Sequence, residues 1–495
     1  IEAYAKQEDA SPIRTLLGSA EPWEDATFQK PAPRVNWVLD SQSSQPKPAH
    51  SVVSAEQSAE TTTPTVQTED VVHPPLAESH AVPDSEHQQA QVLSRDTKAL
   101  LDETEPANST VVSTQTNVQM PNLAALIASK QSANMQDAAR EAWADQTTKD
   151  LKKALNGWGF QVNVLGTRMT PNGCLVRLAG SDRLRVEDIE AKRMQLLTTH
   201  AINVVTVQPK PAEIVVTIAS EKRQSVSLWD LWARRQLNRN AAGINVSFVI
   251  GVQEVNGELL YLNLGGDFAG LSGHEPHSLV AGATGSGKSV LLQVLLLDIA
   301  ATNPKELAQI VLIDPKMGVD YAALADLPHM REPIITTKER ATEVLANLVE
   351  EMEGRYRLFA QARARDLATY NAKVTAGEKL PMVFLVHDEF ADWMFDANYK
   401  EAVGAAVQRL GVKARAAGIH LIFAAQRPDK DVMPMQLREN LGNRLILKVA
   451  SEATSKIALD RAGAERLLGR GHLAAKLNGD LIFAQVPFVS DEDIE

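Results

Sequence analysis

An α/β fold built on a parallel sheet is predicted for the second half of this 495-residue chain, on three observations. From about Asn245 onward, short apolar runs alternate with helical stretches, the pattern of parallel strands joined by crossover helices. One run leads into an eight-residue glycine-rich loop and then a helix. Another, about a hundred residues later, ends in two adjacent carboxylates. A smaller α+β domain is predicted ahead of this region, and a disordered segment ahead of that. The expected boundaries are 1–118, 119–232 and 233–495.

The first segment is set apart by its charge. Of the net −12, −11 falls within residues 1–120, which also hold 11 of the 24 prolines among Ser, Thr, Gln and Glu. Such a composition buries too little apolar surface to offset the entropy of ordering it, so it reads as an acidic linker. The rest of the chain is close to neutral, and local basic patches there can meet a phosphate backbone despite an overall pI near 5.5.

The smaller domain opens at Pro121, with Leu123, Leu126 and Ile127 on a predicted helix. A second helix is expected around Leu151–Leu155. Phe160–Thr167 and Cys174–Leu178 read as paired strands across the turn residues Pro171, Asn172 and Gly173. A helix through Val186, Ile189, Met194 and Leu197 follows. The runs INVVTVQ and EIVVTIAS read as two more strands, and the module ends near Trp229–Trp232. No metal or nucleophile constellation stands out in it.

Composition narrows the classes. With 44% hydrophobic and 23% charged residues, collagenous and wholly disordered chains are excluded. The longest aliphatic run, Val290–Ala300, is broken by Gln293 and Asp298 and falls short of the ~18–20 apolar residues of a membrane span. The single cysteine, Cys174, rules out a disulfide within the chain and a cysteine zinc cluster. A cytoplasmic location is expected.

The chemistry concentrates in the α/β region. Gly282-Ala283-Thr284-Gly285-Ser286-Gly287-Lys288-Ser289 fits G-x-x-x-x-G-K-[ST], between the strand HSLVA and the helix VLLQVLLLDIA. Its glycines let backbone N–H groups approach phosphate oxygens, and the helix N-terminus adds its positive end. Lys288 is expected to neutralise β- and γ-phosphates, and the Ser289 hydroxyl to bind Mg²⁺. The apolar run Pro381–Val386 leads through His387 to Asp388 and Glu389. Asp388 is expected to hold Mg²⁺ through water, and Glu389 to polarise the attacking water. His387 reads as a packed, hydrogen-bonded histidine. The strand Ile419–Ala425 ends at Gln426, expected beside the γ-phosphate, and the strand QIVLID ends at Asp314-Pro315-Lys316.

Together with VLIDPKMGVDY, EMEGRYRLFAQARARDLATYN, KARAAGIHLIFAAQRPDKDV and LDRAGAERLLGRG, these strings resemble the FtsK/SpoIIIE family of DNA-translocating ATPases, over about residues 150–495. The resemblance implies a RecA-like P-loop NTPase domain, ATP and Mg²⁺ as ligands, and a homo-oligomeric ring, a hexamer in the family, that draws double-stranded DNA through its channel. Arg444 in ENLGNR resembles an arginine supplied to a neighbouring subunit's ATP. Arg363, Arg365, Lys413 and Arg415 are candidates for the channel. The acidic first segment resembles the linker between the membrane and motor parts of chromosome-segregation members, which implies tethering at the inner face of the membrane. His387 and the stretch GVDYAAL depart from the family pattern. Two alternatives stand beside this one. A secretion or conjugation coupling ATPase of the same superfamily is one, although type VII secretion ATPases carry several motor domains in tandem and this chain has one phosphate loop. The other is a translocase subunit of a DNA-defence complex.

Overall fold

The computed structural model describes residues 123–130, 138–268 and 270–494. The predicted acidic linker lies outside them.

The described chain opens with helices α1 (Leu123–Lys130) and α2 (Ala138–Gly157). Strands β1 (Val164–Thr170) and β2 (Gly173–Ala179), helix α3 (Val186–His200), and strands β3 (Val204–Lys210) and β4 (Glu213–Ala219) follow. The four strands form an antiparallel sheet in the order β1-β2-β4-β3. α2 and α3 lie against it through Leu151, Leu155, Ile189 and Leu196, which meet Cys174, Val176, Val216 and Ile218 in one core. Burial pushes the Cys174 thiol up to about 12, so it behaves as a small apolar side chain. β1 begins at Val164 rather than Phe160, because the turn after α2 uses the preceding residues: Val162 N–H donates to Asn156 Oδ1 (3.2 Å).

Helix α4 (Leu228–Arg234) carries the tryptophans expected to close the small module. Two of its side chains, Trp229 and Trp232, meet Val294 and Val489 of the α/β region and also Leu123, Leu126 and Ile127 of α1. The next residue after the helix, Arg235, stacks on Trp232 at 4.5 Å and bonds the buried Asp298 (2.5 Å).

The second sheet has nine strands: β5 (Ser247–Gln253), β6 (Leu259–Asn263), β7 (Ser278–Ala281), β8 (Ala308–Ile313), β9 (Met382–His387), β10 (Ile419–Ala425), β11 (Asn443–Ile446), β12 (His472–Leu477) and β13 (Asp480–Gln485). Their order is β6-β5-β13-β12-β11-β7-β10-β9-β8. The predicted parallel sheet is the stretch β11-β7-β10-β9-β8. The other four strands extend it with antiparallel pairing. β5–β6 and β12–β13 are joined by turns too short for a parallel crossover, so they can only fold back as hairpins.

Helices α5 (Lys288–Thr302), α6 (Lys338–Gln361), α7 (Leu367–Asn371), α8 (Ala397–Ala417), α9 (Met435–Asn440), α10 (Glu452–Leu459) and α11 (Asp491–Ile494) complete the unit. Strand alternation divides the core in two. Leu279, Val311, Leu385 and Phe423 meet α6 and α8 on one face; Val280, Leu312, Phe384 and Ile422 meet α5 on the other. Burial on both faces explains the unbroken apolar runs in the sequence.

Candidate functional site

β7 and β9 are separated in the sheet by β10 alone, so their C-terminal ends lie at one edge. Loops at that edge form the crevice where ligands bind in open α/β sheets.

The glycine-rich loop runs from the end of β7 into α5. Gly285 and Gly287 have φ of +74° and +103°, conformations that a side chain makes costly. At Gly287 a Cβ would also meet the Gly471 nitrogen at 2.6 Å. Three neighbouring segments hold the loop by backbone bonds: Gly282 N–H donates to Ala425 O (3.2 Å), Ala283 N–H to Lys448 O (2.8 Å), and Gly471 N–H to Ser286 O (2.7 Å).

Lys288, at the first turn of α5, is buried. Its Nζ donates to Asp388 Oδ1 and lies 3.7 Å from Glu389 Oε2. The Asp388 carboxylate also accepts from Tyr321 Oη (2.6 Å) and from the Glu389 N–H (2.8 Å). Glu389 follows β9 with φ +42°, a left-handed conformation that is strained for a glutamate and typical of functional sites. The twist directs its carboxylate to Gln426 N–H (2.9 Å) and Lys316 Nζ (3.3 Å). Burial lowers the Lys316 pKa, but the Glu389 charge beside it outweighs that and holds the ammonium above its usual range. Gln426 Oε1 accepts from Thr284 Oγ1 (3.1 Å), which ties β10's end to the phosphate loop. Ser289 Oγ donates to Asp320 Oδ2 (2.8 Å).

The structure therefore brings Lys288, Asp388, Glu389, Gln426 and Thr284 into one connected cluster, with Ser289 on the adjoining helix turn. It does not bring Arg444 there. Arg444 lies on β11 in register with Leu279, and its guanidinium is buried, donating to Arg438 O (2.5 Å). Its charged neighbours are Asp460 and Arg438. His387 is fully buried, with Nε2 2.5 Å from Tyr399 Oη and Nδ1 3.0 Å from Asp388 O. Burial lowers it to about 4, so it is a neutral packing residue among Phe390, Trp393 and Phe423. Arg363 and Arg365 are exposed, Lys413 is exposed on α8, and Arg415 donates to His274 O (3.0 Å).

Three participants were not assigned roles from sequence: Lys316, Tyr321 and Asp320. Their signal was present in VLIDPKMGVDY, where Asp314 accepts from Lys316 N–H and Gly318 N–H (both 2.9 Å) and so turns the chain toward the carboxylates. Tyr321 and Asp320 fall in the stretch that departs from the family pattern.

Beside the phosphate loop lies a cavity of about 530 Å³, walled by Gly285, Gly287, Val290, Arg223, Gly471 and Phe488. Its size suits a nucleoside. For a divalent cation, the donors at hand are the Ser289 hydroxyl and the Asp388 carboxylate, oxygen ligands that fit a hard ion retaining most of its waters.

Residues 267–430 match the FtsK/SpoIIIE family. A DNA translocase FtsK of Leptospira interrogans is 32% identical over 372 residues, covering 73% of this chain and 38% of that protein. One from Campylobacter jejuni is 42% identical over 224 residues, covering 44% and 23%, and one from Streptococcus agalactiae 33% over 358 residues, covering 70% and 42%. The chain thus spans about two fifths or less of these relatives. Among solved structures, the pCW3 conjugation coupling protein TcpA with ATPγS aligns with a TM-score of 0.49 at 21% identity, over 70% of this chain and 96% of that one.

Proposed function

We propose that the chain, whose residues 267–430 match the FtsK/SpoIIIE family, is an ATP-driven translocase of double-stranded DNA working as a homo-oligomeric ring. The observation that carries the ATPase half is the meeting of Lys288, Asp388, Glu389 and Gln426 at the mouth of the phosphate loop. The DNA half rests on the family alone.

In this reading the cavity beside Val290 and Phe488 takes the nucleoside, and the backbone of Thr284–Ser289 takes the phosphates. Lys288 then exchanges its carboxylate partners for phosphate oxygens. Ser289 and Asp388 would hold Mg²⁺, which would supply positive charge beside the phosphates. Glu389, fixed by Gln426 N–H and Lys316, orients a water so that its oxygen attacks the γ-phosphorus as the bond to the β-phosphate oxygen breaks. The Thr284–Gln426 bond gives the presence of the γ-phosphate a route to the end of β10.

The test is the ATPase rate of the chain with double-stranded DNA, with single-stranded DNA and with none. Stimulation by the duplex supports the reading. A rate indifferent to nucleic acid would instead favour the secretion class of the superfamily.

A further inference from the structure

The segment Leu468–Gly471 lies across the phosphate loop like a strap. Arg470 N–H donates to Gly285 O (3.3 Å) and Gly471 N–H to Ser286 O (2.7 Å). Gly469, Arg470 and Gly471 all have positive φ (+74°, +49° and +82°). Three consecutive left-handed residues, two without side chains, do not hold such a course by local preference.

Side chains hold the strap from outside: Leu468 N–H donates to His472 Nδ1 (3.2 Å), and Arg223 and Gln485 bond its carbonyls. Arg223, in the link that leaves β4, donates from Nη1 to Leu468 O (3.2 Å) and from Nη2 to Gly469 O (2.8 Å). The same Nη2 lies 3.4 Å from Gln485 Oε1, and Gln485 Nε2 donates to Arg470 O (2.8 Å). The remaining nitrogen, Nε, donates to Asn172 Oδ1 (2.8 Å), in the turn between β1 and β2 of the four-stranded sheet. Asn172 is fully buried and is fixed in turn by Glu254, whose Oε1 accepts from Asn172 Nδ2 (2.9 Å) and lies 3.3 Å from His472 Nε2. Burial alone would raise Glu254, but His472, Asn172 and Arg223 outweigh it and leave the carboxyl below its usual range. The anchor is therefore a charged, rigid one.

We infer that Arg223 is a positioning residue that couples the four-stranded sheet to the nucleotide site: it sets the strap, and through it the phosphate loop, according to where the Asn172 turn sits. The coupling rests on the ATP reading above. A planar guanidinium suits the task because it bonds the strap and the turn together in fixed geometry, which a lysine ammonium does not. A displacement of the sheet, for instance under load, then reaches Gly285 and Ser286 through three hydrogen-bonded steps.

The experiment uses the full chain and measures the Kd for ATPγS, KM and kcat for ATP, and thermal unfolding, for wild type, Arg223→Ala, Arg223→Lys, Asn172→Ala and the double alanine variant. Kd and KM are expected to rise about tenfold in Arg223→Ala, with kcat moving much less. Asn172→Ala, altered on the other sheet, should raise them in the same direction. The double variant should fall short of the product of the two, since both break one chain of bonds. Arg223→Lys should lie between wild type and Arg223→Ala. If Arg223→Ala does not fold, Asn172→Ala and Arg223→Lys decide. Lowered unfolding temperatures with unchanged Kd and KM would reduce Arg223 to a staple and overturn the coupling. A wild-type chain that binds no ATPγS would overturn the nucleotide reading itself, and the coupling with it.

Discussion

The Lys288 ammonium is bonded to the Asp388 carboxylate, a residue 100 positions along the chain. On the reading proposed above, nucleotide binding is an exchange of this carboxylate partner for phosphate oxygens. Both groups are buried, so neither is left without a counter-charge.

Lys288→Ala should abolish ATP hydrolysis and also destabilise the fold by about 3–5 kcal/mol, because it leaves Asp388 buried without its lysine. Glu389→Gln should bind ATP and fail to turn it over, since the amide keeps the shape but not the charge that orients the water. ATPγS titration and phosphate release separate the two. Normal hydrolysis by the Glu389 variant would move the base to another carboxylate.

Gly287→Ala should be far more harmful than Gly285→Ala. Both place a side chain at positive φ, a strain of about 1–3 kcal/mol, but only at Gly287 does the new Cβ collide with the strap, at Gly471 N. Nucleotide affinity and unfolding temperature, compared between the two variants, check this. Equal losses would show that the strap yields.

Arg444→Ala should lower stability and activity together, by about 1–3 kcal/mol, because the Arg438 carbonyl loses its buried donor. Mixed with Lys288→Ala chains, it should recover some hydrolysis, because some interfaces then join an intact Lys288 site to an intact Arg444. No recovery despite co-assembly would leave Arg444 with its bond to the Arg438 carbonyl alone.

Acid should remove the contribution of Glu351. Its carboxylate takes Arg331 at 2.8 and 3.0 Å and Arg355 at 2.6 Å. Burial pushes it up, but the arginine bonds and charges prevail and hold it at about 2, against an ordinary 4.5. A depressed folded pKa stabilises the protein above the unfolded value, and that stability is lost as pH falls from about 4.5 toward 2. Urea midpoints of wild type and Glu351→Gln should therefore differ most at pH 7 and converge as pH falls from about 4.5 toward 2. A constant gap would refute the pairing.

Much of the site was legible because its parts are local. The phosphate loop is eight contiguous residues whose backbone geometry follows from its own glycines, and Asp388, Glu389 and Gln426 each close an apolar run that can only be a buried strand. Lys316 was visible as a strand end, yet nothing in its neighbourhood announced that it faces Glu389. The tryptophans of α4 read as the end of the small module, and their meeting with the distant Val294 and Val489 is something chain proximity does not announce.

The sequence by itself determined the class of chemistry, because a phosphate loop's N–H groups and helix end need only short-range order. Tertiary structure decided which groups meet: Tyr321 with Asp388, Arg223 with the strap, and Arg444 with the Arg438 carbonyl. Those contacts depend on strand order, and strand order is set by burial summed over two sheet faces, a quantity no short stretch of residues contains.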